Sequence, residues 1–315
     1  MNLLNILKLL SGLLLLTAGG DFLVKGSARI AHRMGLSPLV IGLTIVALGT
    51  SAPELVVSIQ ASLTGLDNMA VANVVGSNIF NTLFILGLCA LASPLIVKQE
   101  LLRLDLPVFI GSSVVLLFFS LDERISRFEG ISFLLILITY LTILLRRNRA
   151  EKIVEEDAPY SEKSQGLMKP FAFVMLGLGL LVFGGEWMVD ASVTLARDFG
   201  LSETIIGLTI VAAGTSLPEV ATSLVATYRG ERDIAIGNVI GSNILNVLFI
   251  LGIGSALRPQ GLALSQAELG MDLLILLVAA LSCYPIFRTG FRVARSEGVF
   301  LLAGFLTYLF YTFLK

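Results

Sequence analysis

Apolar residues along this chain fall in long, nearly uninterrupted blocks, not in the alternating or one-sided patterns of a soluble fold. Ten blocks, near 3–24, 38–63, 68–91, 104–121, 128–145, 171–193, 202–227, 233–257, 267–287 and 298–314, approach or exceed the length needed to cross a bilayer. Each predicts a membrane-crossing helix. The blocks also repeat: GLTIVALGTSAPE at 42–54 returns as GLTIVAAGTSLPE at 207–219, with 11 of 13 positions identical at an offset of 165. The same offset carries NVVGSNIFNTLFILG at 73–87 into NVIGSNILNVLFILG at 238–252, with 12 of 15 identical. The fold expected is an all-α polytopic membrane protein of ten transmembrane helices in two five-helix repeats, 1–145 and 170–315, joined by a polar cytoplasmic linker, 146–169.

A mean hydropathy of +0.89 with only 14% charged residues excludes an ordinary soluble domain. No nucleic-acid partner is expected; the surroundings are a lipid bilayer. The first block resembles a leader peptide, but its counterpart 171–193 is internal, and Gly19-Gly20-Asp21 aligns with Gly184-Gly185-Glu186, so it is read as a retained helix. Assigning the loops after helices 1, 3, 5, 7 and 9 to one side collects 16 of the 22 Lys and Arg residues. By the positive-inside rule that side is cytoplasmic, both termini lie outside, and the plasma (inner) membrane is the expected location. Five helices per repeat then give the repeats opposite orientations. Paired positions agree, since Lys25 and Arg33 become Asp190 and Asp198 while Thr64 and Asp67 become Arg229 and Arg232. Inverted repeats of this kind are associated with transporters that bind substrate at the bilayer midplane.

Each repeat places a glutamate, Glu54 or Glu219, in an apolar stretch, and an asparagine, Asn81 or Asn246, follows 27 residues later. An ionisable side chain near the bilayer centre costs roughly 2.5–3.5 kcal/mol even on permissive scales, so a duplicated pair points to a solvated or ion-filled cavity. Pro53 and Pro218 lack an amide hydrogen and interrupt the helix, leaving the carbonyls of Gly49 and Gly214 without their usual donors. Thr50, Ser51, Thr215 and Ser216 add hydroxyls beside the glutamates; Ser77 and Ser242 share a helical face with Asn81 and Asn246. Asn78 and Asn243 suit ion contact and interhelical packing equally well. Gly76 and Gly241 would let helix backbones approach closely. Every candidate ligand is oxygen, which selects hard cations such as Ca²⁺, Na⁺ or Mg²⁺ over zinc or copper, and calcium suits a set of six to eight flexible oxygens best. Cys89 and Cys283 have no metal-type spacing and read as apolar packing, and Asp21 and Glu186 as acids snorkelling to the interface rather than an outer vestibule. No resident cofactor is expected.

The two motif pairs resemble the alpha repeats of the sodium/calcium exchanger family within the cation/calcium antiporters. The resemblance spans essentially the whole chain. It implies that helices 2, 3, 7 and 8 hold the ions and that helices 1 and 6 slide across them. It also implies that Glu54 and Glu219 bind calcium and sodium, with Thr50, Ser51, Ser77, Thr215, Ser216 and Ser242 as further oxygen ligands and the carbonyls of Ala47 and Ala212 facing the sites. The family often carries aspartate at one of the slots filled here by Asn81 and Asn246. The function expected is Ca²⁺/Na⁺ antiport, with a proton-coupled antiporter as the nearest alternative and a channel behind it. An enzyme is not expected: the chain has no HExxH pair, no GxSxG elbow, and one histidine, His32, far from any motif serine.

Overall fold

The computed structural model describes residues 3–152, 167–198 and 212–314. The helices, in chain order, are α1 (Leu3–Met34), α2 (Pro38–Thr50), α3 (Ala52–Thr64), α4 (Asp67–Ala92), α5 (Leu101–Phe119), α6 (Arg127–Lys152), α7 (Met168–Asp198), α8 (Leu217–Tyr228), α9 (Arg232–Leu257), α10 (Gln266–Arg288) and α11 (Arg295–Leu314). Among the described residues eight helices are long and apolar enough to cross a membrane, and α2 with α3 makes a ninth span, bent by 50°. Only part of the seventh predicted block is described, as a helical turn, Ala212–Gly214, followed by α8; residues 199–211 and the linker segment 153–166 lie outside.

Helix α1 overruns its predicted end at residue 24 and carries Lys25, Arg29 and Arg33, which the charge pattern places in a loop. At 1.5 Å per residue its 32 residues span about 48 Å, well beyond a ~30 Å hydrocarbon core. It runs beside α7 along a seam of glycines spaced seven apart. A Cβ built on Gly12 would lie 2.9 Å from Gly184 O, and one on Gly19 would lie 2.9 Å from Gly177 O. Backbones meet where other residues would hold them apart.

The broken span begins where Ser37 caps the amide of Val40 at 3.2 Å and Pro38 takes the first helical position. It breaks at Ser51, and Pro53 falls in the first turn of α3, where a missing amide hydrogen is tolerated. Helices α3 and α8 end in matching turns, with Gly65 and Gly230 at φ 82° and 81°. Helix α9 is almost wholly buried and α4 largely so, whereas the outer helices expose large side chains such as Leu14, Phe128 and Phe310. Both central helices widen into π-helical turns at equivalent places, Phe80–Ile85 and Asn246–Leu251, a feature that often marks functional sites and that the sequence pattern does not predict.

Four short strands also lie outside what the sequence pattern predicts. β1 (Leu95–Ile96), after α4, pairs antiparallel with β4 (Arg292–Val293), between α10 and α11. β2 (Arg124–Ile125), between α5 and α6, pairs with β3 (Leu262–Ala263), after α9. Each carries only a few hydrogen bonds, too faint a pattern to read along the chain.

Candidate functional site

The two glutamates begin the helices that follow the breaks, Glu54 in α3 and Glu219 in α8, and both are buried. They meet at the centre through a reciprocal exchange. Ser51 donates to Glu219 Oε1 at 3.0 Å, and Ser216 donates to Glu54 Oε1 at 2.8 Å. Residues 51 and 216 correspond at the 165-residue offset, as do 54 and 219, so each repeat holds the other's carboxylate. Ser77 Oγ lies 3.4 Å from Ser216 Oγ. Thr215 also reaches Glu54, Thr50 and Ser242 lie against Glu219, and the carboxylates are near enough to repel each other.

Oε2 of both glutamates is buried without a hydrogen bond, and so, on the helices α4 and α9 that carry the second motif, are both amide atoms of Asn81, Oδ1 of Asn246 and of Asn243, and Oγ of Ser242. Each such group is costly without a partner, and so many together fit a place where a ligand supplies the partners. The set is predominantly oxygen and carries two carboxylates, which suits a hard cation.

The remaining predicted residues divide. Thr50 donates to Asn238 Oδ1 at 3.0 Å, an alternative partner to Glu219. The carbonyl of Ala47 already accepts Ser51 N at 3.0 Å, whereas Ser216 N bonds Ala213 O at 3.2 Å instead of Ala212, so the two halves treat this backbone differently. Asn78 donates to Asn243 O at 3.0 Å and accepts from Asn246 Nδ2 at 3.0 Å, while Asn243 donates to Thr82 at 2.9 Å. These amides stitch α4 to α9. Gly241 meets Leu43 O at 2.7 Å from its Cβ position; Gly76 meets no described residue within 4 Å. Cys89 and Cys283 are buried free thiols.

The family model for the sodium/calcium exchanger protein matches residues 4–146 and 169–314. The chain is 33% identical over 347 residues to the sodium/calcium exchanger MaX1 of Methanosarcina acetivorans, covering 98% of this chain and 99% of that one. It is 37% identical over 314 residues to the putative antiporter CaxA of Alkalimonas amylolytica, covering 96% and 97%. A solved structure of the sodium-calcium exchanger NCX_Mj, soaked with zero Na⁺ and Ca²⁺, superposes with a TM-score of 0.84 at 30% identity, covering 98% and 99%. The chain belongs to the sodium/calcium exchanger family. It is thus a multi-pass membrane protein of the cation/calcium antiporter kind.

In this exchanger the structure also brings in residues that the motifs alone do not single out. Asn73 donates to Ser58 at 2.9 Å and Asn238 donates to Ser223 at 2.9 Å, again equivalent at the same offset. They tie α4 to α3 and α9 to α8 one helical turn from the carboxylates. Both asparagines open the second repeated motif, so the repeat itself carries the signal. A cavity of about 600 Å³ lies between α7 and the broken spans, bounded by Val56, Glu186 and Thr215 among others. It reaches the site through Thr215.

Proposed function

We propose that this exchanger-family protein carries Ca²⁺ against Na⁺ across the inner membrane by alternating access, binding its cargo at Glu54 and Glu219. One observation carries the reading: two buried carboxylates, each held through one oxygen by a serine of the other half and each leaving its second oxygen without a hydrogen bond. Their formal charge of −2 balances one Ca²⁺ or two Na⁺, so either cargo can compete for one shared site. The ligands we assign are Glu54, Glu219, Asn81, Asn246, Ser51, Ser216, Ser77, Ser242, Thr50 and Thr215, with the carbonyls of Ala47 and Ala212. Breaks at Ser51 and Ser216 let backbone and hydroxyl oxygens take part where intact helices would withhold them.

Two inverted five-helix repeats, 1–145 and 170–315, underlie the mechanism. Strand pairing supports the inversion. In the repeats β1 corresponds to β3 and β2 to β4, yet β1 pairs with β4 and β2 with β3. Strands that correspond therefore sit at opposite ends of the bundle. The Lys and Arg distribution supports placing both termini outside. Access then alternates as α1 and α7, joined by their glycine seam, shift over the rest of the bundle.

The test is ⁴⁵Ca²⁺ uptake into proteoliposomes under an imposed Na⁺ gradient, repeated under a pH gradient with Na⁺ absent. Uptake driven by Na⁺ alone is the result expected. Uptake driven only by the pH gradient would replace sodium with protons as the coupling ion, and gradient-independent flux would leave a channel.

A further inference from the structure

The two ends of the bundle differ, and the repeat gives the comparison position by position. Gly20 and Gly185 are equivalent, as are Ala221 and Val56. On α1, a Cβ at Gly20 would lie 3.1 Å from Ala221 O and 3.3 Å from Val225 Cγ2, so α1 is packed onto α8. On α7, the nearest described atom to a Cβ at Gly185 is Gly214 O at 4.0 Å, and Val56 stands 62% exposed on the cavity wall. The cavity therefore occupies the place where, in the other half, two helices close.

An ion pair lies at the closed end. Asp21, next to Gly20, accepts from Lys25 at 2.7 Å and pairs with Arg229, the C-cap residue just after α8. Its equivalents do not repeat this. Glu186 borders the cavity, the counterpart of Arg229 is Thr64, whose hydroxyl bonds back to Gln60 O at 2.9 Å, and the counterpart of Lys25 is Asp190, which takes Lys8. Among the described residues α3 offers no cation to Glu186.

We infer that Asp21 and Arg229 form a latch that holds α1 shut against α8, and that its absence between Glu186 and Thr64 biases this exchanger toward opening at the Glu186 end. The inference rests on the alternating-access reading. Substrate binding at the centre does not depend on the latch; the balance between the two access states does. Removing it lets α1 leave α8 and, through the seam with α7, closes the cavity. Transplanting a cation to position 64 closes the cavity directly.

The experiment uses the full-length protein in nanodiscs, with a single cysteine at either Val56→Cys or Ala221→Cys after Cys89 and Cys283 are replaced, and a membrane-impermeant maleimide. Arg229→Thr is expected to slow labelling at position 56 and speed it at 221, each by about fivefold, the scale a partly exposed ion pair can shift. Arg229→Lys should keep the original rates, which a merely structural defect would not allow. Thr64→Arg should slow labelling at 56. Unchanged rates at both positions in a monodisperse Arg229→Thr protein overturn the latch, whatever Thr64→Arg does. If that variant does not purify, Asp21→Asn carries the same test. Labelling is read without ion gradients, so a failed latch and a failed Na⁺/Ca²⁺ antiport assignment are separate results.

Discussion

Glu54 and Glu219 each accept a hydrogen bond through one oxygen from a serine of the opposite half and leave Oε2 without one. Two desolvated, mutually repelling carboxylates need positive charge for balance, as a bound cation or as protons. Glu54→Gln and Glu219→Gln are each expected to reduce Na⁺-driven ⁴⁵Ca²⁺ uptake to background while the protein still inserts and purifies as a folded species. Wild-type uptake in either variant would remove that residue from the site. Asn246 presents a different case. Its Nδ2 donates to Asn78 Oδ1 while its Oδ1 stays free. In Asn246→Asp the donor becomes a second oxygen, so the acid must hold a proton to keep that bond, and ionising adds a buried negative charge that, in the proposed site, the glutamates would oppose. Calcium flux in the variant should change between about pH 5.5 and 8.5 in a way that wild type does not. Superimposable profiles would make Asn246 a packing residue. The repeat makes these residues legible in the sequence, because a glutamate and an asparagine duplicated in apolar segments have few bland explanations. It does not separate Asn78, which joins helices, from Asn81, which leaves both amide atoms free. That distinction depends on how α4 is rotated against α9, and a one-chain pattern does not hold this information.

At the scale of elements, the seam between α1 and α7 shows what small side chains do in lipid, where hydrophobic burial gives no drive for helices to associate. A methyl at Gly19 would sit 2.8 Å from Leu181 N, and backbone atoms leave it nowhere to go. Gly179, on the same helix α7, meets no described atom within 4 Å. The two substitutions should therefore differ in sign. Gly19→Ala is expected to lower the thermal midpoint in detergent, by the ~1–3 kcal/mol typical of overpacking. Gly179→Ala should hold or raise it, since alanine is favoured over glycine in a helix by about 0.5–1 kcal/mol. A midpoint for Gly19→Ala at or above wild type would mean that the seam opens without cost. The sequence shows these glycines aligned at the offset, but hydropathy ends the span at residue 24, too early. The apolar run stops at Lys25, whereas the helix continues, held by Asp21 bonding to Lys25 and by the seam running on to Gly26, where an added Cβ would lie 2.8 Å from Pro170 O. Polarity marks where lipid ends; packing decides where the helix does.

For the whole molecule, the question is whether the halves run in opposite directions, and the two small sheets turn it into a measurement. Were the repeats parallel, β1 and its counterpart β3 would lie at one end of the bundle and β2 with β4 at the other. The observed pairs, Ile96 with Arg292 and Arg124 with Ala263, join strands that do not correspond. Such pairs are what the proposed inverted halves would give if every span crosses the membrane. Cysteine pairs at 96 and 292, and at 124 and 263, should therefore crosslink with short bifunctional reagents within each pair and not between pairs. Charge then assigns the faces. An impermeant maleimide should reach 96 and 292 only from the cytoplasm, beside Arg288 and Arg295, and 124 and 263 only from outside. Labelling of 96 and 263 from one face would defeat the inverted arrangement, and with it the two-ended pathway through Glu54 and Glu219. Labelling of all four on the faces opposite to those named would keep the inversion and reverse the protein in the membrane, so the cavity beside Glu186 would open to the cytoplasm and the Asp21–Arg229 pair would close the outer end.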